Sequence, residues 1–327
     1  MKQITLYYAG DWGPRPQQGD LGITNRLISY LYPHQREHWL RVNGDTKGSV
    51  IIDSGAFSAW NKGDVIDIYE YMKYITETVE KLVNANKTVY YVNLDVIPGK
   101  VGQTKNLNKF IGNKNILENN NKIVNEAAKQ GLENLKLMIR EGFQPIHVFH
   151  QGEHIRWLEE MIKHTDYIGI APANDVSMLN KKKWIYAVFE YMYKHGIDVR
   201  THGFAVTMPE LLEHLPWTTC DSISWLMISA TGQVIYPLGG FQNPKFRNDK
   251  KPYNRLTVSK VLSGKGTTYL TDGILELFER DGYTYEQLQD YSVRMEINVR
   301  TMLLYEKWLN EKKQNEVYSP VPTFFTL

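Results

Sequence analysis

The sequence predicts an α/β fold, a (β/α)8 barrel of the TIM type, and three observations lead there. Short apolar runs of strand length alternate with amphipathic stretches of helix length over roughly 220 residues, the pattern of parallel β/α units. Seven or eight such units can be counted, the number that closes a barrel; a doubly wound open sheet is the competing arrangement. The runs also end in polar residues or glycine, as strands do where they feed functional loops.

In chain order, the expected strands are "ITLYYAG" (4–10), "VIID" (50–53), "TVYYVNLD" (88–95), "PIHVFHQG" (145–152), "YIGIA" (167–171), "DVRTHGFAV" (198–206) and "DSISW" (221–225). Each is rich in β-branched or aromatic residues, which favour a pleated backbone. Between them lie helices. In "VIDIYEYMKYITETVEKLV" (65–83), Ile68, Tyr71, Met72, Ile75, Val79 and Leu82 recur at three- and four-residue spacing. "NNKIVNEAAKQGL", "HIRWLEEMIKH", "KKWIYAVFEYMYKHG" and "MPELLEHL" behave similarly. The glycines of "AAKQGL" and "KHG" read as helix stops.

After Trp225 the rhythm breaks into a Gly-, Pro- and Asn-rich stretch carrying Lys245, Arg247, Lys250, Lys251, Arg255 and Lys260. A long helix is predicted over 285–313, with Leu288, Tyr291, Met295, Val299, Met302 and Leu309 on one face, closing the barrel. The chain reads as one domain over 1–327: a core (1–240), a basic insertion (241–284), then the closing helix and tail (285–327).

Composition narrows the function classes. The 327 residues are 42% hydrophobic, enough for a substantial core, and 38 basic against 36 acidic residues leave a net charge of +2. That balance neither demands nor excludes nucleic acid, since a basic patch can sit inside a near-neutral total. Apolar runs fall far short of the ~18 residues a membrane span needs. The start "MKQITLYYAG" has no signal-peptide pattern, so a cytoplasmic protein without membrane contact is expected. One cysteine, Cys220, allows neither an internal disulfide nor a cysteine-built zinc cage. It reads as a small buried residue. The tryptophans at 60, 184, 217 and 308 read as packing residues.

In a barrel of this kind the chemistry sits where strands end. Asp53, Asp95, Gln151 and Asp221 fall there on four different strands, with His147, His150 and His202 on or near strand ends. A single such aspartate could cap the following helix; three with a glutamine are harder to explain by capping. Two carboxylates in one cleft suit glycosidic-bond chemistry as nucleophile and general acid. An Asp/His cluster also suits a divalent metal. No HExxH or HxH spacing occurs, and neither metal nor cofactor is expected. His147 and His150 lie an odd step apart and face opposite sides of a strand, so one of them is structural. His34, His38, His154, His164, His195 and His214 read as surface residues. There is no GxGxxG after a strand, no GxxxxGK[ST] and no GxSxG.

Six segments, in order over about 50–226, carry a family likeness. "DSGAFS" resembles the "DSGG(F/Y)Q" signature of the tRNA-guanine transglycosylase superfamily. "VNLDVIPG" looks like its strand ending in a base-reading aspartate, and "VFHQG" resembles "VQGG". "DYIGIAPAND" is similar to its "Y(A)IGGLAVGE" loop, "RTHGFAVTMPELL" to "RYLMGVGTPEDLL", and "CDSISWL" to the nucleophile segment "FDCVLPTR". The resemblance implies that Asp221 attacks the anomeric carbon of a guanosine, expelling guanine and leaving a covalent glycosyl-enzyme. It makes Asp53 the acid/base partner and Asp95 and Gln151 the readers of the base's polar edge. Ser54 joins the substrate-binding set, and Gly169, Ile170 and Ala171 supply backbone contacts. Phe57 and His202 become the walls that sandwich the ring, His202 standing where the family usually has methionine.

Family members acting on tRNA carry a CxCxxC…H zinc site after the seventh strand. This chain has no cysteine there, and Ile297–Asn298 falls where the zinc-binding "HN" would. The likeness is thus to the DpdA-like DNA transglycosylases, most of all the phage members, which insert 7-deazaguanine bases such as preQ0 in place of guanine. For a phage-encoded member the compartment is the host cytoplasm. The expected partner is DNA, with Lys245, Arg247, Lys250, Lys251 and Arg255 as phosphate contacts. A target base in a duplex would have to leave the stack. The same exchange on tRNA or free nucleoside, a two-carboxylate glycoside hydrolase and a non-catalytic nucleic-acid-binding barrel are the alternatives. The identity of the base, the DNA sequence and strandedness, and the oligomeric state are left open.

Overall fold

The computed structural model describes residues 3–10, 21–43, 47–98, 116–174, 176–247, 251–259, 270–314 and 316–318. Eight parallel strands form one sheet: β1 (Thr5–Ala9), β2 (Asn25–Ser29), β3 (Gly48–Asp53), β4 (Lys87–Tyr91), β5 (His147–His150), β6 (Tyr167–Ala171), β7 (Arg200–Gly203) and β8 (Thr219–Ser222). Their order is β4-β3-β2-β1-β8-β7-β6-β5. A parallel bridge between Val92 and Ile146, with Ile146 N–H on Tyr91 O and Asn93 N–H on Ile146 O (both 2.8 Å), joins the two end strands. The curled sheet meets itself there, and the chain is a TIM-type (β/α)8 barrel.

Helices α1 (His34–Asn43), α2 (Ala56–Lys62), α3 (Ile68–Asn84), α4 (Lys122–Arg140), α5 (Ile155–Met161), α6 (Met178–Lys194), α7 (Pro209–His214) and α8 (Ser224–Ala230) follow the strands. Local chemistry starts several of them. Asp67 accepts from Tyr69 and Glu70 N–H at the head of α3, Asn121 from Ile123 and Val124 on α4, and Ser177 from Asn180 on α6. Strand alternation sorts the rest. Val50 and Ile52 of β3 pack outward against α3, whereas Ile51 joins Tyr7, Leu27, Val92, Val148 and Tyr167 inside the barrel.

The C-terminal helix α10 (Tyr291–Gln314) closes the ring between β8 and β1. Its side chains supply hydrogen bonds the barrel would otherwise lack. Asn298 Oδ1 accepts Ile235 N–H and its Nδ2 donates to Trp225 O; Glu306 accepts Leu6 N–H, and Asn310 pairs with both backbone groups of Ile4. Asn298 is thus a structural tie.

Four expectations are corrected. β2 was not expected: "NRLIS" is short and opens on two polar residues, and its pairing on both edges makes it a strand. "DSISW" is a strand only to Ser222, and α8 begins at Ser224. Gly131 does not stop a helix but lies mid-α4, packed beside the His147 ring. His38 is buried, not on the surface.

The basic segment leaves the barrel as a hairpin, β9 (Gln233–Tyr236) against β10 (Asn254–Thr257), followed by α9 (Asp272–Arg280). Phe246 and Tyr253 pack on Tyr305 and Trp308 of α10. That turn of α10 is level with the residues that hold the N-terminal end of β1, so the segment lies on the barrel's flank. No helix among the described residues is long and apolar enough to cross a membrane.

Candidate active site

Three carboxylates converge at the C-terminal mouth of the barrel. Asp53 ends β3 on its inward face, and its Oδ2 accepts the Gly55 N–H at 3.0 Å. Gly55 sits at φ +75°, and a Cβ there would lie 2.7 Å from Leu31 Cγ, so only glycine makes this turn without strain. Burial, reinforced by the Asp95 and Asp221 carboxylates, pushes the Asp53 pKa up to about 7. A carboxyl so placed exchanges its proton near neutral pH.

Asp95 lies just past β4. Its Oδ1 accepts the hydroxyl of buried Ser54 (3.1 Å), and its Oδ2 meets His150 Nε2 (2.9 Å). The other ring nitrogen, Nδ1, meets Glu153 Oε1, also at 2.9 Å. Burial disfavours a charged ring, but the Glu153 and Asp95 carboxylates outweigh it and raise the His150 pKa to about 10. The result is an imidazolium clamped between two carboxylates. His147, on the opposite face of β5, is the structural partner. Burial takes its pKa down to about 3, and Nδ1 accepts from Asn93 Nδ2 at 2.9 Å.

Asp221 is buried on β8. Its Oδ1 accepts the Ala205 N–H (3.0 Å) and lies 3.3 Å from His202 Nε2. Ala205 has φ +53°, an uncommon conformation for a residue with a side chain. The strained turn aims its N–H at the carboxylate.

Several expected roles meet a different geometry. His202 is fully buried, edge-on to Tyr7 (6.1 Å between ring centroids) and Phe204 (4.5 Å), with Nδ1 on Thr219 Oγ1 at 2.7 Å. It is held beside Asp221 and presents no open ring face. The aromatic ring nearer the mouth is Phe204, lying over Gly169, where a Cβ would come within 2.3 Å of Cε2. Phe57 is 38% exposed on the rim and stacks on Trp60. Gln151 accepts from Ala173 N–H (3.1 Å) and donates to Asn180 O (3.3 Å), so its amide braces the loop after β6. The carbonyls of Ile170 and Ala171 accept from Phe204 and Gln151 N–H, while Gly169 pairs with Val148 and His202 in the sheet.

Of the expected phosphate contacts, Lys245, Arg247, Lys251 and Arg255 are exposed on the flanking segment. Arg247 donates to Lys251 O and Arg255 to Gln233 Oε1, both at 2.9 Å. Lys250 and Lys260 lie outside the described residues. Among the described residues no group of three or more His, Cys, Asp or Glu side chains is placed to hold a metal ion.

Sequence reasoning missed Glu153, Phe204 and Ala205. A signal existed for the first two: Glu153 follows His150 by three residues, and Phe204 follows His202 by two within the strand expected over 198–206. Nothing in the sequence marks the left-handed Ala205. No protein-family model matches this chain, and no curated protein matches it.

Proposed function

We propose that this barrel is a base-exchanging glycosyltransferase acting on DNA, replacing guanine by a 7-deazaguanine base through a covalent Asp221–glycosyl intermediate. The observation that carries the reading is the pairing of two unlike carboxyl groups in one mouth. Asp53 is raised to about 7, while Asp221 is anchored through one oxygen. A carboxyl titrating near neutrality can serve as the acid, and a second one held through a single oxygen keeps its other oxygen free to attack.

In the first half-reaction a carboxylate oxygen of Asp221 attacks C1′ of the target nucleoside. The C1′–N9 bond breaks, its electron pair goes to the departing guanine, and Asp53 supplies the proton. In the second half the incoming base bonds to C1′ through nitrogen and gives its proton to Asp53. The ester's electron pair returns to Asp221. Asp95, fixed by Ser54 and His150, is the polar group beside this exchange. Phe57 and Phe204 are the aromatic surfaces a flat base can meet.

Two features support a polynucleotide over a free nucleoside. The resemblance to DNA-modifying transglycosylases is one. The other is the exposed basic hairpin on the flank, which a molecule confined to the mouth would not reach.

The test is incorporation of labelled guanine or 7-deazaguanine into DNA and into tRNA by the wild-type protein and by Asp221→Ala. Label is expected in DNA with the wild type and in neither polymer with the variant. Label entering tRNA alone would move the substrate to RNA, and no incorporation on either polymer would overturn the reading.

A further inference from the structure

We propose that His202 is a positioning residue for Asp221: its Nε2–H holds Oδ1 of the carboxylate and leaves Oδ2 as the oxygen that bonds to the sugar and releases it. The kinetic part of this rests on the transglycosylase reading; the approach of Nε2 to Oδ1 does not.

The carboxylate is held asymmetrically. Oδ1 accepts the Ala205 N–H at 3.0 Å and lies 3.3 Å from His202 Nε2, whereas Oδ2 accepts no hydrogen bond among the described residues. The buried His202 Nε2 makes no hydrogen bond as placed, and Asp221 Oδ1 is the acceptor within its reach. At 3.3 Å and off the line of the N–H, the contact is one that closes to a hydrogen bond as substrate tightens the site.

Far from the carboxylate, the ring is fixed by hydroxyls. Tyr167 Oη, Thr219 Oγ1 and His202 Nδ1 form a chain with steps of 2.5 and 2.7 Å. Thr219 has a single proton to give. If Tyr167 donates to Thr219, Thr219 donates to Nδ1, and the ring proton sits on Nε2. The reverse order would turn a bare Nε2 lone pair toward a carboxylate oxygen in a water-excluded place, which Coulomb's law disfavours. The chain therefore runs Tyr167→Thr219→His202→Asp221. Tyr7 and Phe204, edge-on to the ring, keep it from swinging away.

The chemical consequence falls on the second half-reaction. In the covalent intermediate Oδ2 is esterified and Oδ1 is the ester carbonyl. A donor on Oδ1 stabilises the full carboxylate charge more than the carbonyl dipole. It therefore assists cleavage of the C1′–Oδ2 bond, whose electron pair returns to Asp221 while the incoming nitrogen bonds to C1′ and passes its proton to Asp53. Losing a hydrogen bond to a charged group of this kind slows that step about 10- to 100-fold, and the adduct accumulates.

Two measurements test this. Nitrogen-15 NMR of histidine-labelled protein, with the His202 signals assigned by their loss in His202→Phe, reads which ring nitrogen carries the proton. Single-turnover kinetics on guanine-containing DNA follow adduct formation and decay in the wild type, His202→Phe, His202→Gln and Thr219→Val. The expected results are a protonated Nε2, and adduct decay about 10- to 100-fold slower in His202→Phe with formation changed less. Thr219→Val should slow decay in the same sense, and His202→Gln, whose amide keeps a donor, should recover much of the rate. A bare Nε2, or equal decay in all four proteins, would overturn the proposal. Thr219→Val is nearly isosteric and carries the comparison if His202→Phe does not fold. If the wild type forms no adduct on DNA or tRNA, the transglycosylase reading and the kinetic role of His202 fall together, and the spectrum alone decides the Nε2 proton.

Discussion

Replacing Asp53 with asparagine should stabilise the protein, and increasingly so as pH rises. In the unfolded chain this carboxyl ionises at its ordinary pKa of 3.8; in the folded protein burial, Asp95 and Asp221 hold it at about 7. Between these values the folded state binds more protons than the unfolded state, so stability falls as pH rises. The interval from 3.8 to about 7, at ~1.4 kcal/mol per pH unit, sets a ceiling of about 4 kcal/mol. Solvent at the mouth screens part of it, and about 2–3 kcal/mol is the reasonable expectation. Asparagine keeps an oxygen for the Gly55 N–H and carries no charge, so the burden disappears. Urea unfolding of wild type and Asp53→Asn from pH 4 to 8 measures it directly. The two should be close in stability at pH 4 and diverge through pH 7, the variant becoming the more stable. A difference that stays constant with pH, or a wild type that gains on the variant as pH rises, would refute the electrostatic account of the mouth.

His150 should show the same fall of stability with rising pH in a higher window, here through loss of a stabilising charge. Its folded pKa of about 10 exceeds the ordinary 6.5, so its stabilising contribution is complete below pH 6.5 and is lost as pH rises toward 10. His150→Gln should cost about 3–5 kcal/mol at pH 6, the usual penalty for breaking a buried charge network, with the gap to wild type closing in alkaline denaturation curves. Gly169→Ala places a methyl 2.3 Å from the Phe204 ring and should lower stability by about 1–3 kcal/mol in thermal unfolding, unless Phe204 moves out of the mouth.

Much of the architecture was legible because it follows from local periodicity. Apolar residues at helical spacing announced α3, and the apolar run of "VIID" ending in a carboxylate placed Asp53 on a strand end. The odd step between His147 and His150 foretold that one would be structural, and the structure makes it His147. β2 was hidden because a five-residue strand opening on Asn25 and Arg26 owes its state to two neighbours rather than to its own pattern. Gly131 was misread because glycine after a polar turn reads as a helix stop, whereas α4 continues through it. Tertiary packing carries α4 through this glycine, which no local signal announces.

The sequence by itself determined the alternating β/α plan and the arrival of Asp53, Asp95 and Asp221 at strand ends, because side-chain direction along a strand is a property of the chain alone. Only the tertiary structure decided what each polar group meets. Sheet pairing sets β7 beside β8 in a register that buries His202 against Asp221. It turns the Gln151 amide into a brace for its own loop and carries the basic hairpin to the flank of α10. Those partnerships join residues from strands and loops far apart in the chain. The free energy of burying a charge or leaving a donor unpaired, which no local pattern encodes, selects among them.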